Sequence, residues 1–135
     1  MKRLIPAIAV LMFMASCDIT VLEPRYDHRD QITGYYDIEE YSETFHGYTY
    51  YSIHITKDTY SRSVVYLNNF YGADICVKAY LDYNDLTIPY QVIDGFEIEG
   101  TGTLYNDHVD MSYRVKDLYQ NSRADFCNTY GDRGY

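Results

Sequence analysis

The feature that most constrains this chain is an alternation of apolar and polar side chains that recurs from Gly34 almost to the C-terminus. A period of two residues places every second side chain on the same face of a β-strand. Turn-forming pairs such as Asp94-Gly95 and Asn106-Asp107 separate the alternating segments. The predicted strands cover residues 34–41, 48–57, 63–70, 74–82, 86–93, 95–104 and 108–116, with a short eighth near 126–130.

Each of these strands carries one apolar face, so the strands must bury those faces against one another. Several linkers are short, which favours antiparallel pairing of neighbours along the chain. We therefore predict an all-β domain, a small antiparallel up-and-down barrel or flattened half-barrel of about seven to eight strands. Pro89 predicts a bulge or an edge in the fifth strand, and Gly100 and Gly102 predict a sharp bend in the sixth.

The alternation also predicts which side chains point into the barrel. If the interior holds a cavity, these side chains would line it and bind a small apolar ligand. The predicted ligand-binding residues are Tyr36, Ile38, Ile53, Val65, Leu67, Val77, Ile98 and Met111, and Leu81 joins them in the predicted interior.

A lipoprotein signal peptide is predicted at the N-terminus. Lys2 and Arg3 give it a positive start, and an apolar stretch of about eleven residues follows, too short to span a bilayer. The sequence Met-Ala-Ser-Cys at residues 14–17 resembles a lipobox, where signal peptidase II cuts before a cysteine that receives diacylglycerol. The alternatives are an ordinary secretory leader with a chance cysteine and a buried core helix.

Acyl chains on Cys17 would hold the protein at a membrane, because each buried methylene contributes about 0.8 kcal/mol. We predict three parts: a signal peptide at residues 1–16, a lipid-anchored tether at 17–32 and a β domain at 33–135. The tether contains Pro24 and several charges without a sustained period. The expected location is the bacterial cell envelope, with the outer membrane favoured and the leaflet left open.

The formal net charge is −9, and it falls to −11 when Lys2 and Arg3 leave with the signal peptide. A surface this negative repels nucleic-acid phosphates, so nucleic acid is excluded as a partner. It also offers no polybasic segment for anionic lipid headgroups, so any membrane attachment must come from another feature of the chain.

Several segments resemble the short lipocalin-like lipoproteins common in Bacteroidetes. Besides the leader, the likeness covers about residues 33–130 and rests on segments 34–38 (GYYDI), 65–72 (VYLNNFYG), 86–91 (LTIPYQ), 100–103 (GTGT) and 125–127 (DFC). The resemblance implies a small antiparallel barrel or half-barrel and no specific activity. Lipocalins open with Gly-x-Trp, whereas this shorter chain has Gly34-x-Tyr36, which argues against a roomy cavity.

Two cysteines remain once Cys17 carries lipid. In an oxidising compartment Cys76 and Cys127 are a candidate disulfide, which would contribute about 4 kcal/mol by closing a loop of about 50 residues. The alternative is two free thiols that never approach each other.

No pattern in the sequence assembles a catalytic site. The four histidines lack zinc-binding spacing, and the segment Asp-Tyr-Asn-Asp at 82–85 lacks the glycine and glutamate of a calcium loop. We therefore predict no enzymatic activity, no metal and no cofactor. Outward Tyr50, Tyr66 and Tyr80 would form either an aromatic stripe that binds a partner or ordinary cross-strand packing.

The sequence leads to two hypotheses about function. The first is a lipid-anchored barrel that acts as a non-enzymatic binding module for a small apolar ligand or an envelope partner. The second is a solid-core structural or interaction protein of the envelope with no ligand cavity. A cavity in the interior would favour the first, and an exposed apolar patch would favour the second.

Overall fold

The computed structural model describes residues 25–120 and 123–134. Eight antiparallel strands form a closed barrel in which each strand pairs with its neighbours in the chain and β8 pairs with β1. The predicted up-and-down barrel is confirmed, in its fully closed form. The strands are β1 (Gly34–Ser42), β2 (Gly47–Lys57), β3 (Val64–Phe70), β4 (Ile75–Asp82), β5 (Asp85–Ile93), β6 (Phe96–Leu104), β7 (His108–Asp117) and β8 (Asp125–Arg133), after a four-residue helix α1 (Arg29–Ile32).

The alternation in the sequence decides which face of each strand is buried. Along β4 and β8 buried and exposed residues alternate almost without exception. The inward side chains of all eight strands meet in one hydrophobic core. Short turns let neighbouring strands pair: Asp94 (φ 49°) and Gly95 (φ 80°) alone connect β5 to β6, as expected for a two-residue hairpin turn.

The predicted irregularity at Pro89 is a bulge. The register of β5 against β6 shifts between Ile88 and Gln91, and β5 pairs with β4 only from Asp85 to Thr87. Beyond that point the side-chain amide of Gln91 takes the place of a backbone peptide. It accepts from the Lys78 backbone N–H at 3.1 Å and donates to the Lys78 carbonyl at 2.8 Å. A side chain therefore bridges the part of the β4–β5 seam that the bulge opens.

The glycines of β6 allow β7 to approach closely. A Cβ atom at Gly100 would overlap Tyr113 and the carbonyl of Ser112, and one at Gly102 would overlap Asp110 and Met111. The sequence predicted a bend here, and the structure gives close contact between two backbones as the reason for glycine.

Helix α1 covers one end of the barrel. Ile32 joins the core, and Arg29 is buried, with Nη1 donating to the carbonyls of Asp58, Ser61 and Val64. The tether predicted to reach residue 32 is therefore wrong at its C-terminal boundary, because these side chains fix residues 29–32 to the barrel.

The last strand closes the same end. The Arg133 guanidinium lies over the ring of Tyr36 at 5.9 Å and donates to the carbonyls of Gln31, Thr33 and Asn106. No helix in the described residues is long and apolar enough to cross a membrane. The predicted signal peptide and the lipid site at Cys17 lie outside the described residues.

Candidate functional site

The residues predicted to line a ligand cavity all lie inside the barrel. None of the eight, from Tyr36 to Met111, is more than 2% exposed. They belong to one continuous cluster, in which Leu67 sits between its cross-strand partners Ile55 and Val77. The inward orientation is therefore as predicted, and these side chains pack against one another as a core.

The two cysteines predicted as a candidate disulfide are free thiols. Cys76 points outward from β4, whereas Cys127 points into the barrel from β8. Because β4 pairs with β3 and β5, and β8 pairs with β7 and β1, the two thiols occupy different parts of the sheet as well as different faces. The structure thus corrects the disulfide hypothesis in favour of its alternative.

A buried polar cluster lies inside the barrel at the end opposite α1, which we call the mouth. Glu40 on β1 is only 3% exposed. Its Oε2 accepts hydrogen bonds from the hydroxyl of Tyr51, at 2.6 Å, and from that of Tyr113. Burial raises the pKa of the Glu40 carboxyl, and the nearby Asp125 adds to the rise while the two tyrosine hydroxyls oppose it.

Asp125 at the start of β8 forms the other half of the cluster. It accepts hydrogen bonds from Ser42 Oγ and from the Tyr71 hydroxyl, each at 2.5 Å. Cys127 lies beside both carboxylates, and burial raises the pKa of its thiol, which keeps it protonated. Ligand atoms of Glu40, Asp125 and Cys127 lie within 4.8 Å of one another, so these three could hold a divalent metal.

Hydroxyl donors already occupy this cluster, which makes it an internally hydrogen-bonded part of the core. The sequence analysis missed it. The signal was present, because Glu40 and Ser42 continue the inward alternation of Tyr36 and Ile38 along β1.

Above the cluster, a cleft of about 320 Å³ opens at the mouth. Aromatic rings and carboxylates form most of its lining, which consists of Phe45, Tyr71, Phe96, Asp117, Asp125, Val115, Gln120 and Arg123.

A second feature lies on the outer face of β2, β1 and β8, where a groove of about 460 Å³ crosses the three strands. We call it the outer groove; its outward side chains are Asp37, Glu39, Tyr50, Ser52, Tyr130 and Asp132. Glu39 lies directly between Tyr50 and Tyr130, its cross-strand partners on β2 and β8. Both tyrosines are exposed, at 70% and 49% respectively.

The aromatic stripe predicted from Tyr50, Tyr66 and Tyr80 does not form as one row. The β2–β3 ladder begins at His54, so Tyr50 lies beyond the paired part of β3. Tyr66 is partly buried and donates its hydroxyl to Asp58 at 2.8 Å. Closure of the barrel instead gives Tyr50 a neighbour on β8, through β1, which no local pattern indicates.

Comparisons with known proteins address the fold. No protein-family model and no curated protein sequence matches the chain. Among solved structures, the chain is similar to a redesigned β-barrel at a TM-score of 0.55 and 9% sequence identity. The match covers 84% of this chain and 100% of the redesigned barrel. At this identity, the likeness concerns the barrel fold alone.

Proposed function

We propose that this chain is a lipid-anchored protein of the bacterial cell envelope whose barrel is a non-enzymatic binding module for an envelope partner. The filled interior carries the proposal, because the side chains expected to line a cavity pack into one core. When the core of a barrel is packed, the outer surface and the mouth are the parts that can recognise a partner.

The outer surface is rich in tyrosines, which suits a binding role. Tyr48 and Tyr50 on β2 and Tyr130 on β8 are exposed on the two strands that flank β1. A tyrosine offers a large contact area and loses little conformational freedom on binding. This surface therefore supports binding of a protein partner better than the interior supports binding of a small apolar ligand.

The N-terminal sequence supports the anchored part of the proposal. The leader ends in the lipobox-like Met-Ala-Ser-Cys, and the negative net charge after cleavage disfavours electrostatic attachment to anionic lipids. The closed antiparallel barrel also agrees with the resemblance to lipocalin-like lipoproteins, which we retain as part of the proposal.

Lipid labelling tests the anchor. The full chain and its Cys17→Ser variant would be expressed in a bacterial host and labelled with an alkyne analogue of palmitate. We expect label and membrane fractionation for the unmodified chain, and neither for Cys17→Ser. An unlabelled, secreted wild-type chain would refute lipid anchoring.

Photo-crosslinking in intact cells tests the partner. A photo-reactive amino acid would replace Tyr50, and in a control Tyr80, which is exposed on the outer face of β4. A discrete crosslinked protein is expected from position 50 and not from position 80.

Native mass spectrometry of the Cys17→Ser protein tests the hypothesis of a small apolar ligand. A lipid-sized adduct that leaves on denaturation would favour a ligand inside the barrel over a packed core.

A further inference from the structure

We infer that the outer groove binds an extended, basic segment of a partner protein, with Lys or Arg side chains over Glu39 and between Tyr50 and Tyr130. This inference rests on the proposed function and specifies the chemistry of the partner.

The groove carries negative charge and has no Lys or Arg among its lining residues. The basic side chain beside it is His108 on β7, whose ring stacks on Tyr130 at 5.9 Å between centroids. In the described residues, the carboxylates of Asp37, Glu39 and Asp132 form no salt bridge; Asp37 accepts from Ser52 at 2.6 Å, and Asp132 accepts from Tyr130 at 3.0 Å. The outward residues of the three strands include no Lys or Arg: they are Tyr35, Asp37, Glu39, Tyr41, Tyr48, Tyr50, Ser52, His54, Thr56, Phe126, Asn128, Tyr130 and Asp132.

Acidic side chains on another part of the barrel are treated differently. Glu97 and Glu99 on β6 both face Arg114 of β7, at 3.9 Å and 2.8 Å. The barrel thus pairs those carboxylates with an arginine of its own, whereas Glu39 forms no salt bridge with a Lys or Arg of the described residues. The charge of the groove selects a cationic partner over an anionic one.

The tyrosines suit the same partner. A Lys or Arg side chain over Glu39 would lie beside two exposed aromatic rings, whose faces attract cations. Tyr130 already donates its hydroxyl to Asp132, which holds the ring beside the carboxylates and raises the pKa of the Tyr130 hydroxyl. Because His108 stacks on one face of the Tyr130 ring, the other face and the carboxylates are what can act on one cation together.

The spacing of the carboxylates indicates an extended partner. Asp37 and Glu39 are two residues apart on β1, a rise of about 6.6 Å, which alternate side chains of an extended segment match. In addition, β2 from Gly47 to Ile53 has a backbone ladder with β1 alone among the described strands. On its other edge the Ser52 carbonyl accepts from the Asn69 side chain at 2.9 Å, so the part from Gly47 to Tyr51 is the stretch open to a further strand. An extended segment can add to this edge while its basic side chains reach across Tyr50.

The test is fluorescence anisotropy with a labelled peptide in which Lys and Thr alternate, added at low ionic strength to the mature full-length protein in non-ionic detergent. We expect saturable binding that weakens with salt. The double variant Tyr50→Ala/Tyr130→Ala should bind about tenfold more weakly, since each exposed cation–π contact contributes about 0.5–1 kcal/mol. Glu39→Gln should also weaken binding.

A matched control lies on β4, where Tyr80 and Asp82 are exposed and Lys78 lies near the Tyr80 ring. Tyr80→Ala/Asp82→Asn should bind the peptide as wild type does, and all variants must keep the wild-type circular dichroism melting curve. Equal binding of a peptide with Glu in place of Lys, or unchanged binding by both groove variants, would overturn the inference. So would full competition by equimolar spermidine, which would mean that the groove takes free polyamines.

The outcome separates this inference from the proposed function. If crosslinking at position 50 captures a partner and Glu39→Gln leaves the yield unchanged, the binding module stands and the basic segment is refuted. If crosslinking captures no protein in cells while the Lys peptide binds as expected, the groove chemistry stands and the envelope partner is refuted.

Discussion

The carboxyl of Glu40 makes a prediction about how stability depends on pH. It lies inside the barrel, and burial raises its pKa above the ordinary value of 4.5. The unfolded chain therefore loses this proton at a lower pH than the folded chain does. Between those two pKa values the folded state binds more protons, so the free energy of unfolding falls as pH rises.

The size of the effect follows from a single proton. Below the unfolded pKa the titration of Glu40 causes no loss of stability. Above it, the free energy of unfolding falls by at most about 1.4 kcal/mol per pH unit, until the folded pKa is passed. Glu40→Gln removes the titration and keeps a carbonyl oxygen that can accept from Tyr51 and Tyr113. The variant should therefore gain stability relative to wild type as pH rises from 5 towards neutrality, whatever the fixed cost of the amide.

Urea denaturation in half-unit steps of pH from 5 to 8 measures this difference. Effects of pH that arise far from position 40 are common to both proteins and cancel in the comparison. The control is Glu39→Gln, because Glu39 is the neighbouring residue on the outer face and is exposed. Parallel curves for wild type and Glu40→Gln would refute the reasoning.

Asp27 affects stability at a lower pH than Glu40 does. Its hydrogen bond with Arg29 lowers its pKa from 3.8 to about 2, so the stability that Asp27 contributes is lost only as the solution is acidified from about pH 4 to pH 2.

Two further predictions concern the core and the closed end. Leu67→Ala, at a fully buried position, should lower the free energy of unfolding by about 3 kcal/mol and Tm by roughly 10–20 °C in thermal denaturation. The control Tyr60→Ala, at 98% exposure, should change stability by less than about 0.5 kcal/mol. A loss below about 1 kcal/mol for Leu67→Ala would indicate a hollow interior. Arg29→Met should cost about 3 kcal/mol in chemical denaturation, since it removes the guanidinium that pairs with Asp27 and donates to the carbonyls of Asp58, Ser61 and Val64. Adding Asp27→Asn should recover part of the loss, and simple additivity would contradict a coupled pair.

The sequence by itself determined the strands and their inward faces. A two-residue period is a local property, so the inward positions of Ile53, Leu67 and Val77 could be predicted without knowing which strands pair. The turn at Asp94-Gly95 and a bulge or edge at Pro89 were predictable for the same reason, because the backbone limits of these residues act within a few positions; the structure decides for the bulge.

Tertiary structure decided which distant residues meet. Pairing of β8 with β1 sets Tyr130 and Tyr50 on either side of Glu39 and brings Asp125 towards Glu40, across more than 80 residues of chain. The strand order also places Cys76 and Cys127 in different parts of the sheet, and closure lets Arg29 and Ile32 pack on the barrel although their segment has no periodic pattern. Contacts of this kind depend on the stagger and closure of the whole sheet, and no local spacing in the sequence specifies these.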